Sequence, residues 1–167
     1  MYVIRVELEN FKGVKKGSLN FSDVTILLGA NNSGKTTVLE ALFLAPNPLR
    51  PVPYFVRGVQ VNAVRLIEEL HSTLDSRGFA FLFNDYVAKW ACINCIVDSS
   101  EHSVFFVNCE VNTMWPVFVG AFKGRPLKED LELMTKRSGI SETTVSGYPT
   151  VRVNNRNYVK LGFMLCN

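Results

Sequence analysis

Eight residues, Gly29-Ala30-Asn31-Asn32-Ser33-Gly34-Lys35-Thr36, fit the spacing G-x-x-x-x-G-K-[ST]. The residue types suit one task, gripping the phosphates of a nucleoside triphosphate. Gly29 and Gly34 let the backbone curl tightly and come close to an anion. Across Asn31, Asn32 and Ser33, successive backbone N–H groups then turn inward as a nest for phosphate. Lys35 is placed to reach the β- and γ-phosphates, and Thr36 to offer its hydroxyl to Mg2+. Thr37 can hydrogen-bond near the α-phosphate. The plain alternative is a glycine turn with an incidental lysine. ATP and GTP both remain open, because no motif for adenine recognition is readable.

Such a loop needs a strand to deliver it and a helix to follow it. The run VTILL, residues 24–28, is continuously apolar and reads as a central strand buried on both faces of a sheet. A helix is expected from about Gly34 to Ala45, with Val38, Leu39, Leu42 and Phe43 as its apolar stripe. Its N-terminus would add a partial positive charge at the loop. Upstream, YVIRVELENF alternates with period two, putting Tyr2, Ile4, Val6 and Leu8 on one face of a half-buried strand. A second strand is expected over residues 18–21. The prolines from Pro46 to Pro53 mark a loop or extended connection. Asn62 can cap a helix running to Leu74, with His71 beside its apolar stripe as a structural or surface histidine. GFAFLFNDY fits either a short helix or a strand. From Trp90 the chain turns β-rich: two strands read as a hairpin around SSEH, with Phe105, Val107, Cys109 and Val111 on one face and Asn108 and Glu110 on the other. WPVFVGAF is a third strand. PLKEDLELMTKRSG is a helix with acids early and bases late, ended by Gly139. Two short strands around Asn154-Asn155 close the chain.

At 167 residues the simplest organisation is one domain. No apolar run approaches the ~18 residues that cross a bilayer, and the alternating N-terminus is no signal peptide. A reducing, cytoplasmic setting is therefore expected. The formal charge of +3 permits contact with nucleic acid without arguing for it. Cys92 and Cys95 form C-x-x-C, but side chains three apart on a strand point to opposite faces, which argues against a shared metal. No second pair completes four ligands, so buried, inert cysteines are expected.

The stretch LENFKGVKKGSLNFSDVTILLGANNSGKTTVLEALF resembles the N-terminal region of SMC/RecF/RecN-like, ABC-type P-loop ATPases, and the related ATPases of OLD-type nucleases. Leu8, Asn10, Phe11 and Lys12 match the L-x-N-F-[KR] strand end of that group. The residues from Gly29 to Leu42, apart from Ala30, match its loop and helix. By resemblance, Asn10 and Lys12 lie near the nucleotide; an exposed turn lysine is the other reading of Lys12. The family's complete site also holds a glutamine-loop Gln, an L-S-G-G signature, a Walker B Asp-Glu and a switch His. Gln60 is the one glutamine in the chain and lacks a strand leading into it. No L-S-G-G is present. Asp85 and Asp98 end apolar runs, but neither is followed by Glu. His102 sits in an expected turn. No catalytic residue is therefore assigned.

These readings converge on an α/β P-loop NTPase: a mixed sheet with an attached antiparallel β region. The expected division is 1–45 for strands, loop and helix, 46–89 for a connecting and helical segment, and 90–167 for the antiparallel part. The expected role is a Mg-ATP-binding lobe of an SMC/RecF-like ATPase. Hydrolysis would await a complementary C-terminal lobe or second chain, in a head-to-head dimer when complete. The chain then corresponds to a truncated piece, a natural fragment or half of a split enzyme. DNA repair, maintenance or defence is the setting that the resemblance implies. The rival is a self-contained small P-loop NTPase or kinase with Asp85 or Asp98 on Mg2+. It needs the Asp-bearing strand parallel to and near residues 24–28. A scaffold with a relic loop is a third possibility.

Overall fold

The computed structural model describes residues 2–71, 78–109, 116–137 and 139–164. Leu74, Glu110 and Val111, which figure in the sequence reading, lie outside them. In chain order the elements are strands β1 (Val3–Phe11) and β2 (Val14–Asn20), helix α1 (Lys35–Leu44), a hairpin of β3 (Pro51–Val56) and β4 (Val59–Asn62), and helix α2 (Ala63–Leu70). Two 3-10 turns (Gly78–Leu82, Asn84–Tyr86) precede β5 (Trp90–Val97), β6 (Ser100–Asn108) and β7 (Val117–Lys123). Helix α3 (Lys128–Lys136) and strands β8 (Ile140–Val145), β9 (Tyr148–Val153) and β10 (Arg156–Met164) follow.

Eight strands form one sheet in the order β2-β1-β5-β6-β7-β10-β9-β8. Every strand pair among the described residues is antiparallel, so the expected mixed sheet is corrected to an antiparallel one. Residues 24–28 are the central correction. They belong to no strand, and Val24, Ile26 and Leu28 are 78%, 73% and 88% exposed. The reason is one of neighbours: β1 is already bracketed by β2 and β5, leaving it no edge for a parallel strand. A cavity of about 380 Å3 is lined by Val6, Leu8, Val14 and Leu19 of the sheet together with Ile26, Leu27 and Leu28.

Period-two alternation sorts the two cores. On β5, Ala91, Ile93 and Cys95 face one core with Val6, Leu8 and Phe11 of β1, under α1, α2 and the 3-10 turns. Trp90 and Cys92 face the other, with Phe105, Val107, Tyr158 and the Leu131 and Met134 of α3. The two sulfurs of C-x-x-C thus serve opposite cores, as the strand period requires. Burial pushes the Cys92 thiol up to about 12 and the Cys95 thiol up to about 11. Asn94, which interrupts the apolar run, is satisfied across the strands: Ser103 Oγ lies 2.8 Å from its Oδ1, and its Nδ2 donates to Glu101 at 2.7 Å.

Several local signals hold. Asn62 caps α2, its side chain accepting from Arg65 N at 2.9 Å. Asn154 and Asn155 turn the β9–β10 hairpin with φ of 47° and 62°. Asp98-Ser99, rather than SSEH, turns the β5–β6 hairpin, and His102 lies on β6 instead of in a turn. The proline-rich connection ends in the β3–β4 hairpin, which turns at Arg57-Gly58. On α1 the buried residues are Glu40, Ala41 and Leu44, whereas Leu39 of the expected stripe is 59% exposed. Helix α1 is oriented by a polar anchor, Glu40, which the apolar pattern does not reveal. On the other side of the sheet, fully buried Asp130 of α3 accepts from Asn154 at 2.8 Å, Arg156 at 3.2 Å and Tyr158 Oη. That set ties α3 to the last hairpin.

Candidate functional site: the glycine loop and its charged wall

The loop enters α1 through Gly34, whose φ of 87° is the left-handed region that glycine occupies without cost. Asn32 is also left-handed, at φ 64°, a conformation that Asn adopts more readily than most residues. Val38 N donates to Gly34 O at 3.1 Å, so the N–H groups of Lys35, Thr36 and Thr37 precede the first helical bond. At the other end, Gly29 is needed for close approach: a Cβ there would stand 2.5 Å from Ser33 Oγ.

Lys35 folds back over this loop. Its ammonium donates to Gly29 O and Ala30 O, both at 2.6 Å, and to Ser33 Oγ at 3.1 Å. An ammonium has three protons, so all three are engaged by the loop itself. An incoming anion would have to replace those acceptors.

A second lysine stands at the same cavity, whose volume is about 670 Å3. Its lining is Lys12, Gly13, Val14, His71 and the loop residues from Asn31 to Thr37. Lys12 follows β1 at φ 51°, pinned by its N–H to Leu82 O (3.0 Å) and by Asn84 Nδ2 to its carbonyl (2.8 Å). Its Nζ pairs with Glu40 Oε2 and lies 2.9 Å from His71 Nε2. His71 Nε2 is in turn 2.7 Å from Glu40 Oε1. Phe81 stacks on His71 with ring centroids 5.6 Å apart, and Lys12 Nζ lies 5.5 Å from the Phe81 centroid. A carboxylate buried like Glu40 requires such partners.

Of the residues assigned from sequence, Asn31, Asn32, Ser33, Gly34, Lys35, Thr36, Thr37 and Lys12 come together here. Gly29 joins through its carbonyl, and Asn10 is absent from the cavity lining. His71 and Glu40 are the residues that sequence reasoning missed. Gln60 sits on β4 and donates to Val52 O at 3.0 Å, away from this cavity. Asp85 lies in a 3-10 turn and Asp98 in the β5–β6 turn, where its Oδ1 accepts from Tyr2 N at 3.0 Å. Neither ends a strand parallel to residues 24–28, the arrangement that the kinase-like alternative needs. Among the described residues no group of three or more His, Cys, Asp or Glu is placed to hold a metal ion. A cavity of about 290 Å3 elsewhere is lined by Arg5, Glu7, Glu9, Arg125 and Lys128. Those charges pair with one another: Arg5 to Glu7 at 2.8 Å, Lys128 to Glu9 at 2.6 Å, and Arg125 to Glu7.

Sheet, helices and lysine-bearing loop together define the class only as α/β, with an antiparallel sheet. The chain belongs to the AAA ATPase domain family, which matches residues 1–114. It is also similar to the DNA double-strand break repair Rad50 ATPase of Nanoarchaeum equitans (strain Kin4-M), 38% identical over 71 residues. That similarity covers 40% of this chain and 9% of the relative, so the chain spans a small part of the relative's length. No solved structure matches the chain. No helix among the described residues is long and apolar enough to cross a membrane.

Proposed function

We propose that this chain is the Mg-ATP-binding lobe of an SMC/RecF-like ATPase, and that hydrolysis requires a second lobe. The observation that carries the proposal is the loop: Lys35 held over Gly29 and Ala30, at the start of α1, beside a cavity with a second ammonium. On ATP binding, Lys35 exchanges the Gly29 and Ala30 carbonyls for phosphate oxygens. The N–H groups at the start of α1 and the loop nest receive the rest of the anion. When bound, Mg2+ would neutralise phosphate charge.

The donor set fits the metal in part. Thr36 offers one hydroxyl; no carboxylate lines the cavity among the described residues, and Glu40 is engaged by Lys12 and His71. A Mg2+ ion takes about six oxygen ligands. The remainder falls to phosphate, water and a partner's acid.

The exposed apolar run at residues 24–28, with a cavity between it and the sheet, supports the need for a partner lobe. Strands from that lobe would bury the run and carry the missing acid. A cytoplasmic role in DNA repair, maintenance or defence rests on the family resemblance and the Rad50 similarity.

The test is ATP binding and turnover by this chain, with Lys35→Ala as control. The expected result is Mg-dependent binding lost in the variant, with negligible turnover by the chain alone. Brisk, Lys35-dependent turnover by a monomer would refute the lobe assignment. Absence of binding at millimolar ATP would refute the site itself and favour a relic loop.

A further inference from the structure

The Lys12–Glu40–His71 cluster joins three distant parts of the chain: the end of β1, the second turn of α1 and the C-terminus of α2. Lys12 and His71 line the phosphate cavity, and Glu40 is held against both. That location, and the pattern of donors in it, call for more than a structural ion pair.

Lys12 Nζ has three protons and no lone pair. One goes to Glu40 Oε2. His71 Nε2 sits 2.9 Å from Nζ and 2.7 Å from Glu40 Oε1. A ring nitrogen holds either a lone pair or a proton, so it serves one of these neighbours at a time. With a lone pair, Nε2 accepts from Lys12 and takes up its second proton. With a proton, Nε2 donates to Glu40 and leaves two Lys12 protons for an acceptor in the cavity.

We infer that Glu40 and His71 are positioning residues that hold the Lys12 ammonium at the phosphate cavity. The inference rests on the proposed nucleotide reading of the loop, and the ligand is the phosphate chain of the nucleotide. Among the described residues, His71 faces Lys12 from the end of β1, Glu40 from α1 and the uncharged ring of Phe81. On its own helix, Glu68 and Glu69 are both paired with Arg65.

The experiment measures Mg-ATP affinity of the chain and its His71→Leu, His71→Gln, Lys12→Met and Lys35→Ala variants, with thermal melts to confirm folding. Loss of one charge-assisted contact corresponds to about a tenfold weaker affinity. His71→Leu is expected to bind about tenfold more weakly. His71→Gln should restore binding, because its amide can both accept from Lys12 and donate to Glu40. The Lys12→Met/His71→Leu double variant should bind no more weakly than Lys12→Met alone, since His71 acts through Lys12.

Equal affinity of folded His71→Leu and parent, with Lys35→Ala inactive, overturns this inference and leaves the loop reading intact. Equal weakening by Leu and Gln also overturns it, as does additivity with Lys12→Met, because each shows packing alone. A parent chain that binds no nucleotide overturns both readings together.

Discussion

Gly120 lies at the middle of β7, directly across from Phe105 of β6. A Cβ at this position would stand 2.3 Å from Phe105 Cζ, 2.5 Å from its Cε2 and 2.9 Å from Phe118 Cε1. Carbon atoms pack at about 3.5–4.0 Å, so the Phe105 ring must move by about 1 Å or more. It has little freedom. Phe105 is fully buried, edge-on to Tyr158 at 5.7 Å and tilted against Phe118 at 6.0 Å. Overpacking of this kind costs roughly 1–3 kcal/mol, and a pinned ring puts the cost near the top of that range. Replacing glycine within a strand returns roughly 0.5 kcal/mol. Gly120→Ala should therefore destabilise the chain by about 2–3 kcal/mol, read by urea denaturation, with a melting temperature lower by about 5–10 °C. Phe105→Leu removes the clashing atoms and should cost about 1–2 kcal/mol alone. In the double variant the two losses should fall short of their sum by at least ~1 kcal/mol. A Gly120→Ala chain within 0.5 kcal/mol of the parent (about the noise of a surface substitution), or strict additivity with Phe105→Leu, would refute the packing argument.

Three further outcomes follow from other sites. Gly29→Ala sets a methyl against Ser33 Oγ at 2.5 Å and Ser33 Cβ at 3.1 Å, so Mg-ATP affinity should drop about tenfold. Ser33→Gly in the same chain should recover part of the loss in a binding titration. Asp130→Ala leaves the buried Tyr158 hydroxyl without its acceptor and should cost about 3 kcal/mol in denaturation; Tyr158→Phe in the Asp130→Ala background should cost little more. Cys92 and Cys95 should resist thiol reagents at pH 8 in the folded chain and react on unfolding, checked by residue-resolved mass spectrometry. Burial holds their thiols protonated, at about 12 and about 11, so thiolate is scarce well above pH 8. Rapid labelling of both in the folded state would contradict the buried strand.

The parts of the fold that sequence reveals are those set by short-range geometry. Val6 and Leu8 face inward because strand side chains alternate. Asn62 caps a helix because its side chain reaches Arg65 N three residues on. Cys92 and Cys95 divide between cores for the same reason of period. Residues 24–28 mark the boundary of such reasoning. An apolar run states that a segment is suited to burial, but not which strands cover it, and β1 already has β2 and β5 as its neighbours. Helix α1 fails differently, since its orientation depends on Glu40 meeting Lys12 and His71, which lie 28 and 31 residues away. His71 was unreadable as a site residue because its neighbours lie far off in sequence. The one available signal was a lysine, a carboxylate and an imidazole in segments flanking the same loop.

The exposed run at residues 24–28 also governs how the chain behaves in solution. Val-Thr-Ile-Leu-Leu carries no charge and no proline, and its β-branched residues favour extended pairing. Short segments of this composition, left uncovered, pair with copies of themselves. Nothing charged interrupts the run between Asp23 and Lys35. The same stretch that leads into the glycine loop thus makes the chain's colloidal lifetime a matter of concentration, and covering it would protect solubility.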